Sequence, residues 1–183
     1  MMQMPKLGSL PMVAALAAVV SLTAPALAAQ YRFVVVADHE RDNFNQGSFA
    51  CATINQHGEV AFKAARTAGV NSFDGTYRAN TDGTITAIVE DPDRAQFTFT
   101  GNFTSINDKG EVALGANLAG PEFVNVIVRG DGRVVNQVTT IASTAGATAR
   151  DLGFVNFNVS VNTLGEVAFM GGLDPPGWHS RST

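Results

Sequence analysis

Apolar and polar residues alternate along most of the chain, and short polar turns interrupt the alternation at regular intervals. After a turn at residues 107–110, for example, Val112, Leu114 and Ala116 alternate with smaller or polar residues. A period of two is typical of a β-strand with one buried face. Because helical periodicity is almost absent, the pattern predicts an all-β fold.

The same turn and strand pattern occurs three times. Asn55, Asn107 and Asn162 lie 52 and 55 residues apart, and each precedes a glycine by three positions: Gly58, Gly110 and Gly165. An Asn side chain can bond the turn backbone and Gly adopts positive φ easily, so each copy predicts a β-hairpin closed by a tight turn. A period of about 50 residues indicates tandem structural repeats.

A second hairpin is predicted in each of the first two copies. Asp82-Gly83 and Asp131-Gly132 separate runs of β-forming residues, and Asp-Gly in that setting is a strong hairpin signal. The predicted strands cover residues 75–79, 84–89, 123–128 and 133–141. Each complete copy therefore predicts four sequential antiparallel strands, which is the content of one propeller blade.

The ends of the repeat region are predicted to be incomplete units. Residues 32–38 resemble the fourth strand of the first unit, whereas the third copy stops after two strands. The total of about eleven strands is fewer than the roughly 16 that a four-bladed propeller needs, so the chain is predicted to be partial and propeller-like, unable to close a ring alone. The units are placed at about 45–91, 97–142 and, in part, 153–173, with an irregular tail at 174–183. A truncated chain fits this pattern.

The first 28 residues are predicted to be a secretory signal peptide. Lys6 precedes an apolar run at residues 12–22, and Ala26 and Ala28 form a small-residue cleavage site. The run is shorter than the roughly 20 residues that span a bilayer. The predicted β-repeat domain thus covers residues 29–173. No membrane span is predicted after cleavage. The mature chain is predicted to be exported to the periplasm, the cell surface or the medium.

Charge and cysteine content exclude several classes of function. The formal net charge is −4, or −5 after removal of Lys6 with the signal peptide, which does not favour binding to nucleic acid or to an anionic membrane. Cys51 is the only cysteine, so an intrachain disulfide is excluded. Its neighbours Ala50 and Ala52 predict a buried thiol. Ala61, Ala113 and Ala168 occupy equivalent strand positions, where a small side chain would let another sheet approach.

The three copies of Asn-x-x-Gly-Glu-Val-Ala resemble the exported bacterial tandem-repeat proteins named for their NxxGxxAF motif. Phe62 and Phe169 complete the motif in the first and third copies, and Leu114 replaces Phe in the second. The resemblance covers about residues 31–173. It implies an exported, β-rich, propeller-like repeat protein with no established activity. A C-terminal sorting segment, which often ends such proteins, has no counterpart in residues 174–183.

Few residues suggest chemistry, so no catalytic residue, metal site or cofactor is predicted. Residues 38–42 combine acidic, basic and imidazole groups, but a solvated loop explains them better than a site. Asp82, Asp91, Asp93 and Asp131 could offer oxygen ligands to calcium, although turn formation accounts for them more simply. The Glu after each repeated Gly is interpreted as a guard against edge pairing. The candidate site residues are therefore structural turn residues: Asn55, Gly58, Asp82, Gly83, Asn107, Gly110, Asp131, Gly132, Asn162 and Gly165.

Two functional hypotheses follow from these features. The favoured one is a non-catalytic exported repeat module with a binding or scaffold role at the cell envelope or outside the cell, whose partner is an unknown extracellular ligand or protein. Exposed terminal faces also favour self-association. The alternative is a fragment of a β-propeller enzyme that acts on an extracellular substrate, an analogy based on the fold alone.

Overall fold

The computed structural model describes residues 34–69, 71–145 and 152–173. The predicted signal peptide and the predicted tail at 174–183 lie outside these ranges. Ten β-strands and no helix are present in the described residues. The strands are β1 (Ala50–Ile54), β2 (Val60–Ala68), β3 (Asn71–Ala79), β4 (Ile85–Glu90), β5 (Phe97–Ile106), β6 (Val112–Leu118), β7 (Val124–Gly130), β8 (Thr139–Ser143), β9 (Leu152–Val161) and β10 (Val167–Leu173).

The ten strands form three antiparallel sheets in chain order. Unit 1 contains β1-β2-β3-β4, unit 2 contains β5-β6-β7-β8, and unit 3 contains β9 and β10. Every sequential pair within a unit is antiparallel, as short hairpin connections require. The prediction of an all-β, partial propeller-like fold built from four-stranded units is confirmed. No helix in the described ranges has the length and apolar character that crossing a bilayer requires.

The predicted strand at residues 32–38 is wrong for the described part, because residues 34–38 form no strand. Instead, the Asp38 carboxylate accepts hydrogen bonds from the backbone N–H groups of Glu40 and Arg41, at 2.9 and 3.1 Å. The backbone N–H of Asp38 donates to the Asp42 carboxylate at 2.8 Å. These local bonds fold the segment into turns, which explains why the described residues contain ten strands and not eleven.

The predicted strand at residues 133–141 begins later than expected, because β8 starts at Thr139. Asn136 lies beside the outer strand of unit 1, where its side-chain amide exchanges two hydrogen bonds of 2.9 Å with the backbone of Glu90. Its own backbone N–H donates to the carbonyl of Ile88 at 3.1 Å. The segment before β8 thus binds the edge of β4 and not the edge of β7.

The units stack face to face, so the central strands are buried on both sides. Six consecutive residues of β6, from 112 to 117, are buried. The expectation of one buried face is therefore wrong for this strand, since unit 1 covers one face and unit 3 covers the other. Ala61 and Ala113 have no exposed surface, as their small size predicts, whereas Ala168 is exposed.

Residues 34–49 cover the outer face of unit 1, and we call this segment the cap. Phe44 is buried, and its ring centroid lies 5.6 Å from that of Phe62 and 4.8 Å from that of Tyr77. The guanidinium of Arg66 lies 4.5 Å from the Phe44 ring centroid. Burial, together with the nearby charge of Glu90, raises the pKa of Tyr77. The cap therefore shields the apolar face that a preceding sheet would otherwise cover.

Glycines in unit 2 allow unit 3 to pack closely. Phe157 of β9 lies so near Gly101 and Gly115 that a Cβ on either glycine would overlap its side chain. Val155 of β9 belongs to the same buried cluster as Ile127 of β7. Unit 3 thus places one face against unit 2.

Candidate functional site

The structure gathers the predicted turn residues at one end of the stacked sheets. Ile54 pairs with Val60, Val60 with Ala79, and Ala79 with Ile85, so the β1–β2 and β3–β4 turns lie side by side. The same register in unit 2 brings residues 107–111 beside the turn that follows Gly130. We call this region the turn end.

Each repeated Asn locks its own turn with three hydrogen bonds. The side-chain oxygen of Asn55 accepts from the backbone N–H groups of His57 and Glu59, both at 3.0 Å. Its amide nitrogen donates to the Glu59 carboxylate at 2.7 Å. Gly58 has φ +82°, a conformation that favours glycine. The repeated Glu therefore binds the turn asparagine, which corrects its interpretation as a guard against edge pairing.

The other two copies repeat this geometry. Asn107 accepts from the backbone of Lys109 and Glu111 at 3.0 Å and donates to the Glu111 carboxylate at 2.7 Å. Asn162 makes the corresponding bonds to Leu164 and Glu166, at 2.6 to 3.0 Å. The three turns are thus built by the same local chemistry.

The Asp-Gly turns are also closed by a side-chain oxygen, here a carboxylate that accepts from the backbone N–H two residues later. The Asp82 carboxylate accepts from the backbone N–H of Thr84 at 2.9 Å and from its hydroxyl at 2.7 Å. The Thr84 hydroxyl and backbone bonds lower the pKa of Asp82. Asp131 accepts from the backbone N–H of Arg133 at 3.0 Å. Gly83 and Gly132 have φ of +86° and +71°. Both aspartates are therefore engaged in turn formation.

The asparagines also join the units to one another. The side-chain amide of Asn55 donates to the backbone carbonyl of Asn107 at 3.0 Å, and that of Asn107 donates to the carbonyl of Asn162 at 2.9 Å. These bonds span 52 and 55 residues of sequence. The three turns consequently form one row, which we call the turn row: residues 55–59, 107–111 and 162–166.

Two arginines reinforce the turn row, and neither is predicted from the sequence. Arg78 on β3 donates to the Gly110 carbonyl at 2.6 Å, while its Nε lies 3.6 Å from the Glu59 carboxylate. Arg129 on β7 donates to the Gly165 carbonyl, and its Nε lies 3.5 Å from the Glu111 carboxylate. A similar spacing in the sequence could have identified them as equivalent residues, since Arg78 follows Gly58 by 20 residues and Arg129 follows Gly110 by 19.

The exposed positions of the turn row differ between copies. The two residues after each Asn are Gln56 and His57, Asp108 and Lys109, and Thr163 and Leu164. All but the half-buried Asp108 are exposed. The row thus combines constant residues that build the turns with variable residues, most of which face solvent; Asp108 also accepts a hydrogen bond from the backbone N–H of Gln56 at 3.1 Å.

Residues 43–182 match the model of a protein family described as "Family of unknown function (DUF7453)". The chain belongs to this family. No curated protein and no solved structure matches it. The family match spans all three units, from just before Phe44, so the cap phenylalanine and the whole turn row fall inside the part that defines DUF7453.

A polar depression of about 330 Å³ borders the turn row on unit 2 of this DUF7453 chain. Its charged groups pair with one another: Arg133 Nε lies 3.1 Å from the Asp131 carboxylate, and Arg129 faces Glu111. The depression is lined by Glu111, Arg129, Gly130, Asp131, Arg133, Gln137 and Thr139. The depression is therefore polar, and its charged groups are already paired within the protein.

The acidic segment 38–42 uses its charges within the loop itself. Backbone hydrogen bonds from Arg41 and Glu40 lower the pKa of Asp38. Arg41 pairs with the Asp42 carboxylate at 2.7 Å. The ring nitrogen Nε2 of His39 lies 3.9 Å from the Glu40 carboxylate. These contacts form a turn in the cap, and Arg66 of β2 attaches this turn to unit 1 by donating to the Asp42 carbonyl at 3.2 Å.

Asp91 closes the connection between units 1 and 2. Its buried carboxylate accepts backbone N–H bonds from Ala95, Gln96 and Phe97 at 3.2, 2.6 and 2.8 Å. Burial alone would raise the pKa of Asp91, but the bonds from Phe97 and Gln96 outweigh it and lower the pKa below its ordinary value. Within the described ranges, no three His, Cys, Asp or Glu side chains come together as a metal site would require.

The prediction of a buried thiol is wrong, because Cys51 is exposed. It lies on β1, which pairs with β2 along one edge, and it lines a shallow apolar groove of about 290 Å³ beside Phe49 and Phe62. Small neighbours leave an edge-strand side chain uncovered, which is why the flanking alanines misled the prediction.

Proposed function

We propose that this chain is a non-catalytic, exported β-repeat module that binds a ligand or protein partner through the variable residues of its turn row. One observation carries the proposal: the residues that all copies share are engaged in turns and contacts between units, whereas the exposed residues between them differ. A repeated catalytic group would require the opposite arrangement. The module would therefore act as a rigid support that presents a composite surface.

Export and a bacterial origin are part of the same proposal. The signal-peptide pattern of residues 1–28 and the resemblance to NxxGxxAF repeat proteins support a location at the cell envelope or outside the cell. When the chain is expressed in a bacterium, we expect the exported protein to begin at Ala29, as measured by N-terminal sequencing. Val19→Arg interrupts the apolar run and should keep the chain in the cytoplasm. Export of that variant would contradict the proposal.

The binding surface can be tested by changing exposed residues in all three turns. The purified protein is applied to a glycan array and to immobilised cell-envelope fragments, and we expect saturable binding. The combined variant His57→Ser, Lys109→Ser and Leu164→Ser should bind about tenfold more weakly or worse, since it removes an imidazole, an ammonium and an alkyl group from one surface. Its unfolding midpoint should stay unchanged because these side chains are exposed.

The matched control changes exposed residues away from the turn row. Ala68→Ser and Glu122→Ser, placed near the connections at the opposite end of units 1 and 2, should leave binding unchanged. The same protein is incubated with a panel of hydrolase substrates, and no turnover is expected. Turnover would overturn the non-catalytic proposal in favour of an enzyme, and equal binding by both combined variants would overturn the assignment to the turn row.

A further inference from the structure

The face of unit 3 that points away from unit 2 is exposed, and we call it the open face. It contains Phe154, Asn158 and Ser160 on β9 and Ala168 and Met170 on β10. Met170 is 63% exposed and Phe154 is 55% exposed. Large apolar side chains on a sheet face are normally covered by another layer. The described residues supply no such layer on this side.

The same face is covered in the other two units. Ala168 pairs with Ser160 just as Ala113 pairs with Ser105 and Ala61 pairs with Thr53. Ala61 and Ala113 are fully buried beneath the next sheet. This face of unit 2 also forms a hydrogen bond to unit 3, in which the hydroxyl of Ser105 accepts from the backbone N–H of Val161 at 3.0 Å. The open face therefore corresponds to the surface that binds the next sheet in units 1 and 2. In unit 3, the described residues place no sheet on it.

The opposite end of the stack does not offer a complementary sheet face. On unit 1, that position is occupied by the cap, whose Phe44 is only 5% exposed and packs against Phe62 and Tyr77. A second copy could reach the open face with its own unit 1 only after losing these contacts. Head-to-tail stacking of copies, which would produce rings or filaments, is thus opposed by the cap.

We propose that the open face binds the open face of a second copy, forming a closed two-fold dimer. Such an isologous contact places each patch against itself and leaves both caps at the outer ends of the assembly. The two copies of unit 2 then lie on opposite sides of the paired faces, so they do not obstruct each other. This proposal is independent of the proposed ligand.

The chemistry of unit 3 suits contact with itself. Neither β9 nor β10 contains a charged residue, so two-fold pairing brings no like charges together within the paired strands. Met170 and Phe154 supply apolar surface, while Asn158 and Ser160 can donate and accept hydrogen bonds across the two-fold axis. A self-complementary patch needs this combination.

The size of the open face indicates a weak dimer. Strands of seven and ten residues form a face roughly 23 to 33 Å long and about two strands wide. This corresponds to a few hundred Å² per copy, less than the roughly 800 Å² per partner of a standard stable interface. We therefore expect a weak, reversible dimer, with a dissociation constant at or above the micromolar end of the range that standard-sized interfaces cover.

Sedimentation equilibrium of the purified protein, from low micromolar concentrations to the highest that its solubility allows, should give a monomer–dimer equilibrium. Ala168→Arg should weaken dimerisation about tenfold or more, because the contact would bury a charged side chain. Ala68→Arg, the same change at an exposed alanine of β2, is the control and should leave the constant unchanged. Far-ultraviolet circular dichroism checks that both variants fold.

Disulfide trapping tests the two-fold geometry separately. In a Cys51→Ser background, cysteine replaces Asn158, Ser160 or Ala168 one at a time. An added oxidant should then link two copies of at least one variant by a disulfide. The reason is that the two-fold axis of a self-paired face must pass near part of that face. Ala68→Cys in the same background should remain unlinked. A monomer at all concentrations, a dimer insensitive to Ala168→Arg, species that grow beyond dimers, or no trapped dimer would each overturn the proposal.

Discussion

Units 2 and 3 contain the same hairpin in different surroundings. In unit 2, residues 112–117 are all buried, whereas in unit 3 the strand β10 alternates between half-buried and exposed positions over residues 167–170. Asn107 is 4% exposed, while its counterpart Asn162 is exposed. A repeat therefore acquires its second buried face from its neighbour, and equivalent residues should contribute unequally to stability.

The largest expected difference concerns the apolar residue that ends the motif. Leu114→Ala should lower the free energy of unfolding by about 3 kcal/mol, because it opens a cavity between units 1 and 2. Phe169→Ala removes a larger side chain but should cost only about 1 to 2 kcal/mol, since Phe169 is half-buried and solvent can reach the vacated space. Urea unfolding of both variants at low micromolar protein measures the two values. A greater cost at Phe169 would break the comparison.

The turn asparagines provide the next comparison. Asn107→Ala removes bonds to Lys109, Glu111 and the carbonyl of Asn162 in a buried setting, and we expect a loss of about 2 kcal/mol. Asn162→Ala should cost about 1 kcal/mol, because water can satisfy the exposed turn. Thr163→Ala, an exposed neighbour, is the control and should change the unfolding midpoint little. Equal losses at Asn107 and Asn162 would show that the bond between units contributes nothing measurable.

The last expected effect concerns the connection between units 1 and 2 and depends on pH. The folded protein lowers the pKa of Asp91, so the ionised carboxylate contributes stability above the ordinary aspartate pKa of 3.8, and this contribution is lost as the pH falls through the lowered folded-state value. Asp91→Asn should cost about 1 to 2 kcal/mol at neutral pH. Its disadvantage should shrink in acid.

Thermal unfolding between pH 2 and pH 7 measures this dependence. Asp93→Asn is the matched control, since residue 93 is exposed in the same loop, and it should track the unsubstituted protein at every pH. A constant difference between Asp91→Asn and the unsubstituted protein across the whole range would refute the role of the charge.

Local turn chemistry explains why much of the fold could be predicted. Asn55 and Gly58 form their turn with groups at most four residues away, so the pattern is visible in a short stretch of sequence. Arg78 escapes such a search because its partner, the Gly110 carbonyl, is 32 residues distant. Contacts between units depend on how sheets stack, which strand periodicity alone does not specify.

The errors in the cap and in β1 have the same origin. The valines of residues 34–36 have high strand propensity, but strand formation needs a partner edge and the nearby Asp38 favours a turn. Cys51 is flanked by small apolar residues, as a core residue often is, but it lies on the edge strand β1 and is exposed. Burial is decided by the neighbours that stacking supplies, so the sequence indicates which residues can be buried and the assembly determines which are.

The hydrogen bonds between Asn136 and Glu90 make the order of synthesis matter. The outer strand of the first sheet gains these partners only when a segment 46 residues further along the chain has emerged. A ribosome or export channel that delivers the N-terminus first therefore exposes that edge for the time needed to produce almost one whole repeat. Duplication of a gene segment that ends at β4 would meet the same constraint. The copied segment would lack Asn136, whose side chain binds the edge of β4.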